Sequence, residues 1–144
     1  MTDSQIPASR KTIMVVDDNT DIVTIVKTIL ENKGFGVQSA NNGLEVFSRL
    51  KEQKPDLIIL DVMMPQMDGL EVLKKLKETP DYMSIPVILL TAKVQYEDVL
   101  KGYKQGVDYY ICKPFNSSQL INGINFILKK NQDHLNQHRQ LIAG

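Results

Sequence analysis

Polar groups stand wherever the most apolar runs of this chain stop. TIMVV (12–16) is followed by Asp17 and Asp18, DLIIL (56–60) by Asp61, PVILL (86–90) by Thr91 and Ala92, and YYIC (109–112) by Lys113 and Pro114. Each has an ordinary explanation when taken alone: Asp18 or Asn19 can cap a helix, Thr91 can end a strand, and Lys113 can sit in water. Together, three carboxylates, a hydroxyl and an ammonium make a set that one chemistry requires. Three carboxylates brought close together either take up protons or bind a cation. Oxygen-only donors suit a hard ion such as Mg²⁺, which favours one or two carboxylates together with phosphate oxygens. Neither His nor Cys belongs to the set to favour zinc. With such an ion beside it, Asp61 is a carboxylate nucleophile able to accept a phosphoryl group. Lys113 can neutralise one phosphoryl oxygen, Thr91 can donate to another, and Ala92 is small enough to leave room for entry. Phosphoryl transfer asks mainly for positioning and charge neutralisation.

Elements of the right kind must bring these residues to one place. The four runs are of strand length and almost continuously apolar, as strands covered on both faces are. GVQSA (36–40) is more polar and is expected at a sheet edge. Between the strands, apolar residues recur at helical spacing: Ile22, Ile25, Val26, Ile29 and Leu30; Leu44, Phe47 and Leu50; Leu70, Leu73 and Leu76; Tyr96, Val99, Leu100 and Tyr103; and Leu120, Ile121, Ile124, Ile127 and Leu128. Gly34 suits the position just past the first helix. Five strand-then-helix repeats imply right-handed crossovers and a parallel sheet with helices on both faces. In such sheets the functional crevice lies beyond the carboxyl ends of the strands, where the polar set falls. Met63, Met64 and Met67 read as loop side chains closing over the crevice and the third helix, and Pro65 and Asp68-Gly69 as turn chemistry that opens that helix.

At 144 residues one domain with a real core is expected, and 17 basic against 17 acidic side chains leave no overall basic field for nucleic acid or an anionic membrane. No apolar run has signal-peptide or membrane-spanning character, which suggests a cytoplasmic protein. The single cysteine, Cys112, cannot form an internal disulfide and reads as a small buried hydrophobe within YYIC.

The acidic pair Asp17-Asp18, the segment Asp61-Val-Met-Met-Pro65 with Asp68-Gly69, the pair Thr91-Ala92, and Lys113-Pro114-Phe115 resemble, in order and spacing, the receiver domains of two-component response regulators. The resemblance covers residues 11–130, leaving 1–10 as a flexible arm and 131–144 as a tail or linker. It implies a flavodoxin-like α/β fold, doubly wound, with five parallel strands in the order 2-1-3-4-5 and five helices. It implies a signalling domain, not a conventional turnover enzyme, that takes a phosphoryl group from the phosphohistidine of a sensor kinase or phosphotransfer protein. By the same resemblance Asp61 is the acceptor, Asp18 a direct Mg²⁺ ligand, Asp17 a ligand acting mainly through water, and the Met63 carbonyl a further ligand. Thr91 and Lys113 hold the phosphoryl oxygens. A cis peptide before Pro114 aims the lysine. Thr91, Tyr110 and Pro114 belong to a switch that alters the face of the fourth helix, fifth strand and fifth helix, where an output domain or target binds. Tyr110 also fits an ordinary half-buried strand tyrosine. Met63 and Lys93 flank the pocket and bear on phosphoryl lifetime.

Two rival families fit less well. A flavodoxin would need a Ser/Thr/Gly-rich phosphate loop where Asp17-Asp18 stands. A phosphatase of the haloacid dehalogenase type places an acid/base Asp where this chain has Met63. In the tail, Ile121, Leu128, Leu135 and Ile142 recur every seven residues, whereas the second seam of Ile124, Asn131 and His138 is mostly polar. Two readings stand: a coiled coil that joins two copies, giving a phosphorylation-dependent homodimer, or a frayed or packed-back terminus.

Overall fold

Strict alternation of side chains along five short strands divides the core into two. The structure, a computed structural model, describes residues 10–64, 67–92 and 103–143, with side chains to Gln137. β1 (Thr12–Val16), β2 (Gly36–Ala40), β3 (Leu57–Asp61), β4 (Val87–Thr91) and β5 (Tyr109–Cys112) form one parallel sheet in the order β2-β1-β3-β4-β5. Met14, Val16, Ile58, Leu60, Val87 and Leu89 point to one face and meet Val46 and Leu50 of α2 (Gly43–Glu52) and Val72, Leu73 and Leu76 of α3 (Gly69–Glu78). Ile13, Val15, Leu57, Ile59, Ile88 and Leu90 point to the other and meet Val26 and Leu30 of α1 (Thr20–Asn32) and Leu120, Ile124 and Ile127 of the C-terminal helix (Ser117–Ala143). Each fully buried Leu or Ile contributes on the order of 1.5–3 kcal/mol relative to exposure.

The helix ends carry their own local instructions. Asn19 accepts from the Asp21 and Ile22 N–H groups, Asn42 from Glu45 and Asp68 from Glu71. At the C-terminal helix, Asn116 and Gln119 satisfy each other's backbone N–H, a reciprocal capping box. After α1, Gly34 takes φ +92° while its N–H reaches the Glu31 carbonyl and that of Phe35 reaches Leu30. This is a Schellman stop, with Phe35 folded into the second core.

The structure departs from the sequence expectations in several places. β3 and β4 each start one residue later than their apolar runs. Asp56 instead accepts the Thr12 N–H with its carboxylate, and the Pro86 carbonyl accepts from Ile58. Ile25 and Leu44 are exposed, because Val26 and Val46 occupy the inward positions of their helices. Cys112 is exposed as well, since alternation on this edge strand sends Ile111 inward and turns its successor out. Among the described residues there are four helices. The expected fourth helical segment lies largely outside them, and Tyr103 at its end is helical and exposed. No helix among the described residues is long and apolar enough to cross a membrane.

Candidate phosphoacceptor and metal site

Parallel pairing carries the ends of β1, β3 and β4 to one edge of the sheet. The Asp17 N–H bonds the Ala40 carbonyl and the Val62 N–H bonds that of Leu90, so both strand ends are fixed by the ladder itself. Asp17 is fully buried and Asp61 is 4 % exposed, while Asp18 faces solvent. One oxygen from each of these three carboxylates lies within 4.8 Å of the others. Lys113 arrives from beyond β5, its N–H bonded to the Thr91 carbonyl at 2.8 Å and its peptide bond to Pro114 cis. Its ammonium lies 3.1 Å from Asp17 Oδ2 and 3.2 Å from Asp61 Oδ1. Asp17 Oδ1 accepts the Asn19 N–H at 3.0 Å, which ties the acidic pair to the cap of α1. Thr91 is buried at the end of β4, beside Cys112 in register.

Burial pushes the Asp61 carboxyl up to about 6, the nearby Asp17 charge adds to the rise, and Lys113 opposes it without cancelling it. Burial alone would lower the Lys113 pKa, but its bonds to Asp17 and Asp61 hold it above the ordinary lysine value. Three carboxylates against one ammonium leave two negative charges at a site where two of the carboxylates are buried. Oxygen donors and a surplus of two charges fit a divalent hard cation.

Sequence reading placed Asp17, Asp18, Asp61, Thr91 and Lys113 at one sheet edge, and the structure gathers the three carboxylates there, with the Lys113 ammonium on Asp17 and Asp61. Met63 differs from expectation. Its side chain is 73 % exposed and does not close the crevice, although its N–H bonds Asp61 Oδ1 at 3.4 Å. Met64 is buried in the first core and Met67 packs against it. Tyr110 is half-buried against that core, its ring 5.4 Å from that of Tyr103 at 64°. Pro65 and Lys93 lie outside the described residues.

Gly69 matters more than turn chemistry suggested. A Cβ there would collide with the Asp61 carbonyl oxygen and lie 2.8 Å from Val62 Cα. The Gly69 N–H also bonds the Val62 carbonyl at 2.9 Å. The first turn of α3 thus backs directly onto the peptide that carries the Asp61 carboxylate. The sequence signal was a glycine eight residues beyond the strand-end Asp, after an N-cap aspartate.

This sheet order and strand-end site define a receiver fold. The chain belongs to the response regulator receiver domain family, which it matches over residues 13–125. It is 38% identical over 122 residues to the alkaline phosphatase synthesis transcriptional regulatory protein PhoP of Bacillus subtilis, covering 85% of this chain and 50% of that protein. The chain therefore spans about half the length of that relative. Among solved structures, a CheY-like receiver domain protein of Methanospirillum hungatei superposes with a TM-score of 0.82 at 29% identity, covering 88% of this chain and 99% of that one. The receiver domain of a signal transduction histidine kinase from Syntrophus aciditrophicus gives 0.77 at 37% identity, over 83% and 91% of the two chains.

Proposed function

We propose that this domain accepts a phosphoryl group on Asp61 from a phosphohistidine and passes the event on as a change of conformation. The observation that carries the reading is the buried Asp61 carboxylate at the end of a central strand, between Asp17 and the Lys113 ammonium. An Asp61 oxygen forms the new bond to phosphorus as the P–N bond of the donor breaks, its electron pair returning to the imidazole. Lys113 pairs with one phosphoryl oxygen, and the Thr91 hydroxyl donates to another. Asp17, Asp18, Asp61 and the Met63 carbonyl would hold Mg²⁺, which when bound neutralises charge on the carboxylates and on the incoming group. Ladder bonds at Asp17 and Val62 keep the acceptor from moving away as charge builds, so positioning is set before the donor arrives.

The donor in this reading is a sensor kinase or phosphotransfer protein. Its consequence is a population shift in which Thr91 and Tyr110 change the face containing β5 and the C-terminal helix, where an output domain or target binds. The test is intact mass after incubation with Mg²⁺ and acetyl phosphate. The wild type should gain one phosphoryl group and Asp61→Asn none. An adduct that survives in Asp61→Asn would refute the assignment.

A further inference from the structure

β5 is the strand whose placement side-chain burial specifies least. It has four residues and pairs with β4 alone, whereas β1, β3 and β4 are held from both sides. Tyr109 and Ile111 face the second core and Tyr110 the first. A shift of one residue would put Tyr110 in the place of Tyr109 and Ile111 in the place of Tyr110, apolar for apolar, so burial fixes the register weakly. The register matters because Lys113 follows directly. A slip of one residue carries its Cα about 3.3 Å along the sheet and turns alternate side chains to the opposite face. Something other than side-chain alternation has to hold the strand.

The end of the strand remote from the site supplies it. Asp108 donates its N–H to the Val87 carbonyl at 3.0 Å, and its Oδ2 accepts the Val87 N–H at 2.7 Å, so it meets both backbone groups of the first residue of β4. Its carboxylate is held in turn by Lys77, in the last turn of α3. The Lys77 ammonium stands 3.7 Å from Asp108 Oδ2 and donates to the carbonyls of Met83 and Ile85 at 3.2 and 3.0 Å. The stem of that lysine packs against Gly106, at φ +95° in the turn before β5, where an added Cβ would lie 3.3 Å from Lys77 Cγ. Burial lowers the Lys77 pKa and the Asp108 charge opposes the fall. A similar pair stands at the amino end of β1, where Asp56 donates to the Thr12 carbonyl at 2.7 Å and accepts the Thr12 N–H at 2.8 Å, with Lys11 4.0 Å away. There β1 and β3 have neighbours on each side, so the ladder fixes them without it.

We propose that Asp108, held by Lys77, is a positioning residue: it sets the register of β5 on β4 and so places the Lys113 ammonium on Asp17 and Asp61. Its bearing on phosphoryl uptake rests on the function proposed above, and its bearing on register does not. Amide hydrogen exchange of the metal-free full chain, followed by NMR, reads the register at the far end of the strand through the Lys113 N–H bonded to Thr91. Asp108→Ala should speed exchange at Lys113 at least tenfold and leave Val62, bonded to Leu90, within twofold. Asp108→Asn, whose side-chain oxygen still accepts the Val87 N–H, should restore most of the protection. Lys77→Met, which keeps the stem against Gly106, should speed exchange at Lys113 at least threefold, and Asp56→Ala should leave it within twofold. With acetyl phosphate and Mg²⁺, Asp108→Ala should slow uptake no more than Lys113→Ala does, and the double variant should be no slower than Lys113→Ala, because both changes take the same group from the site. Lys113 exchange unmoved by Asp108→Ala and Lys77→Met, a rise shared equally by Val62 or produced by Asp56→Ala, or a double variant slower than Lys113→Ala would overturn the proposal. A wild type that gains no phosphoryl group on Asp61 would refute the proposed function, while the exchange results still decide the register.

Discussion

Replacing Asp61 should make the metal-free protein more stable. In the folded chain the Asp61 carboxyl titrates at about 6 against 3.8 for an ordinary aspartate, because burial and the Asp17 charge outweigh Lys113. A carboxyl raised in this way contributes stability below pH 3.8 that is lost as pH rises through 6. The gap, at 1.36 kcal/mol per pKa unit, makes holding Asp61 ionised at pH 7.5 cost about 3 kcal/mol. The side chain is only 5 % exposed, so solvent screening removes little of this. Asp61→Asn keeps the shape and removes the charge, and should stabilise the protein by up to about 3 kcal/mol at pH 7.5. The advantage should fall to roughly half at pH 5 and nearly vanish at pH 4. Urea unfolding of both proteins in EDTA at the three pH values measures it. Mg²⁺ at a hundred times its dissociation constant should return about 2.7 kcal/mol to the wild type and much less to the variant. A variant less stable than wild type at pH 7.5, or a difference that does not change with pH, would refute the electrostatic account.

Further outcomes follow from the site and its surroundings. Asp18→Ala removes an exposed carboxylate that the fold does not need, so Mg²⁺ affinity by titration should drop at least tenfold with no loss of stability. Lys113→Ala should reduce phosphate uptake less than it reduces the spectral change on the face of β5 and the C-terminal helix. It should also destabilise the metal-free protein by about 3 kcal/mol in urea unfolding, since Asp17 and Asp61 are left buried without a partner. Met63→Asn places a polar group where an exposed thioether cannot orient water, and should speed loss of the phosphoryl group, followed by mass over time. Gly69→Ala should slow phosphorylation by acetyl phosphate at least tenfold, because its methyl group meets the Asp61 carbonyl. Gly43→Ala, whose methyl group comes nearest to the side chains of Val72 and Met67, should affect stability more than rate.

The parts of the fold written in the sequence are those where one residue type has one physical use. Short, nearly continuous apolar runs read as strands covered on both faces, which β1, β3 and β4 are, and the more polar GVQSA did fall at the sheet edge as β2. Gly34 stood where a helix needed a left-handed stop. The strand-end carboxylates and Lys113 were legible because no packing role explains them jointly. What escaped depended on close contacts between distant segments. Leu44 and Val46 are equally apolar, and only the approach of α3 decides which is buried. Cys112 reads as core until β5 is known to have a neighbour on one side only. Nothing in the letters around Gly69 shows that its missing side chain is the space against which the Asp61 backbone rests.

The division of the core by the sheet bears on how the sequence can change. Leu60 and Ile59 are neighbours in the chain but belong to different cores, one shared with α2 and α3 and the other with α1 and the C-terminal helix. Residues without shared partners add their effects, whereas residues in one packed cluster compensate or clash. Drift at Leu73 is therefore answered by Leu60 or Val46 and hardly felt at Ile124. The two layers can be rewritten almost independently, by natural divergence or by design, with the strand ladder as the common boundary that neither rewriting may move.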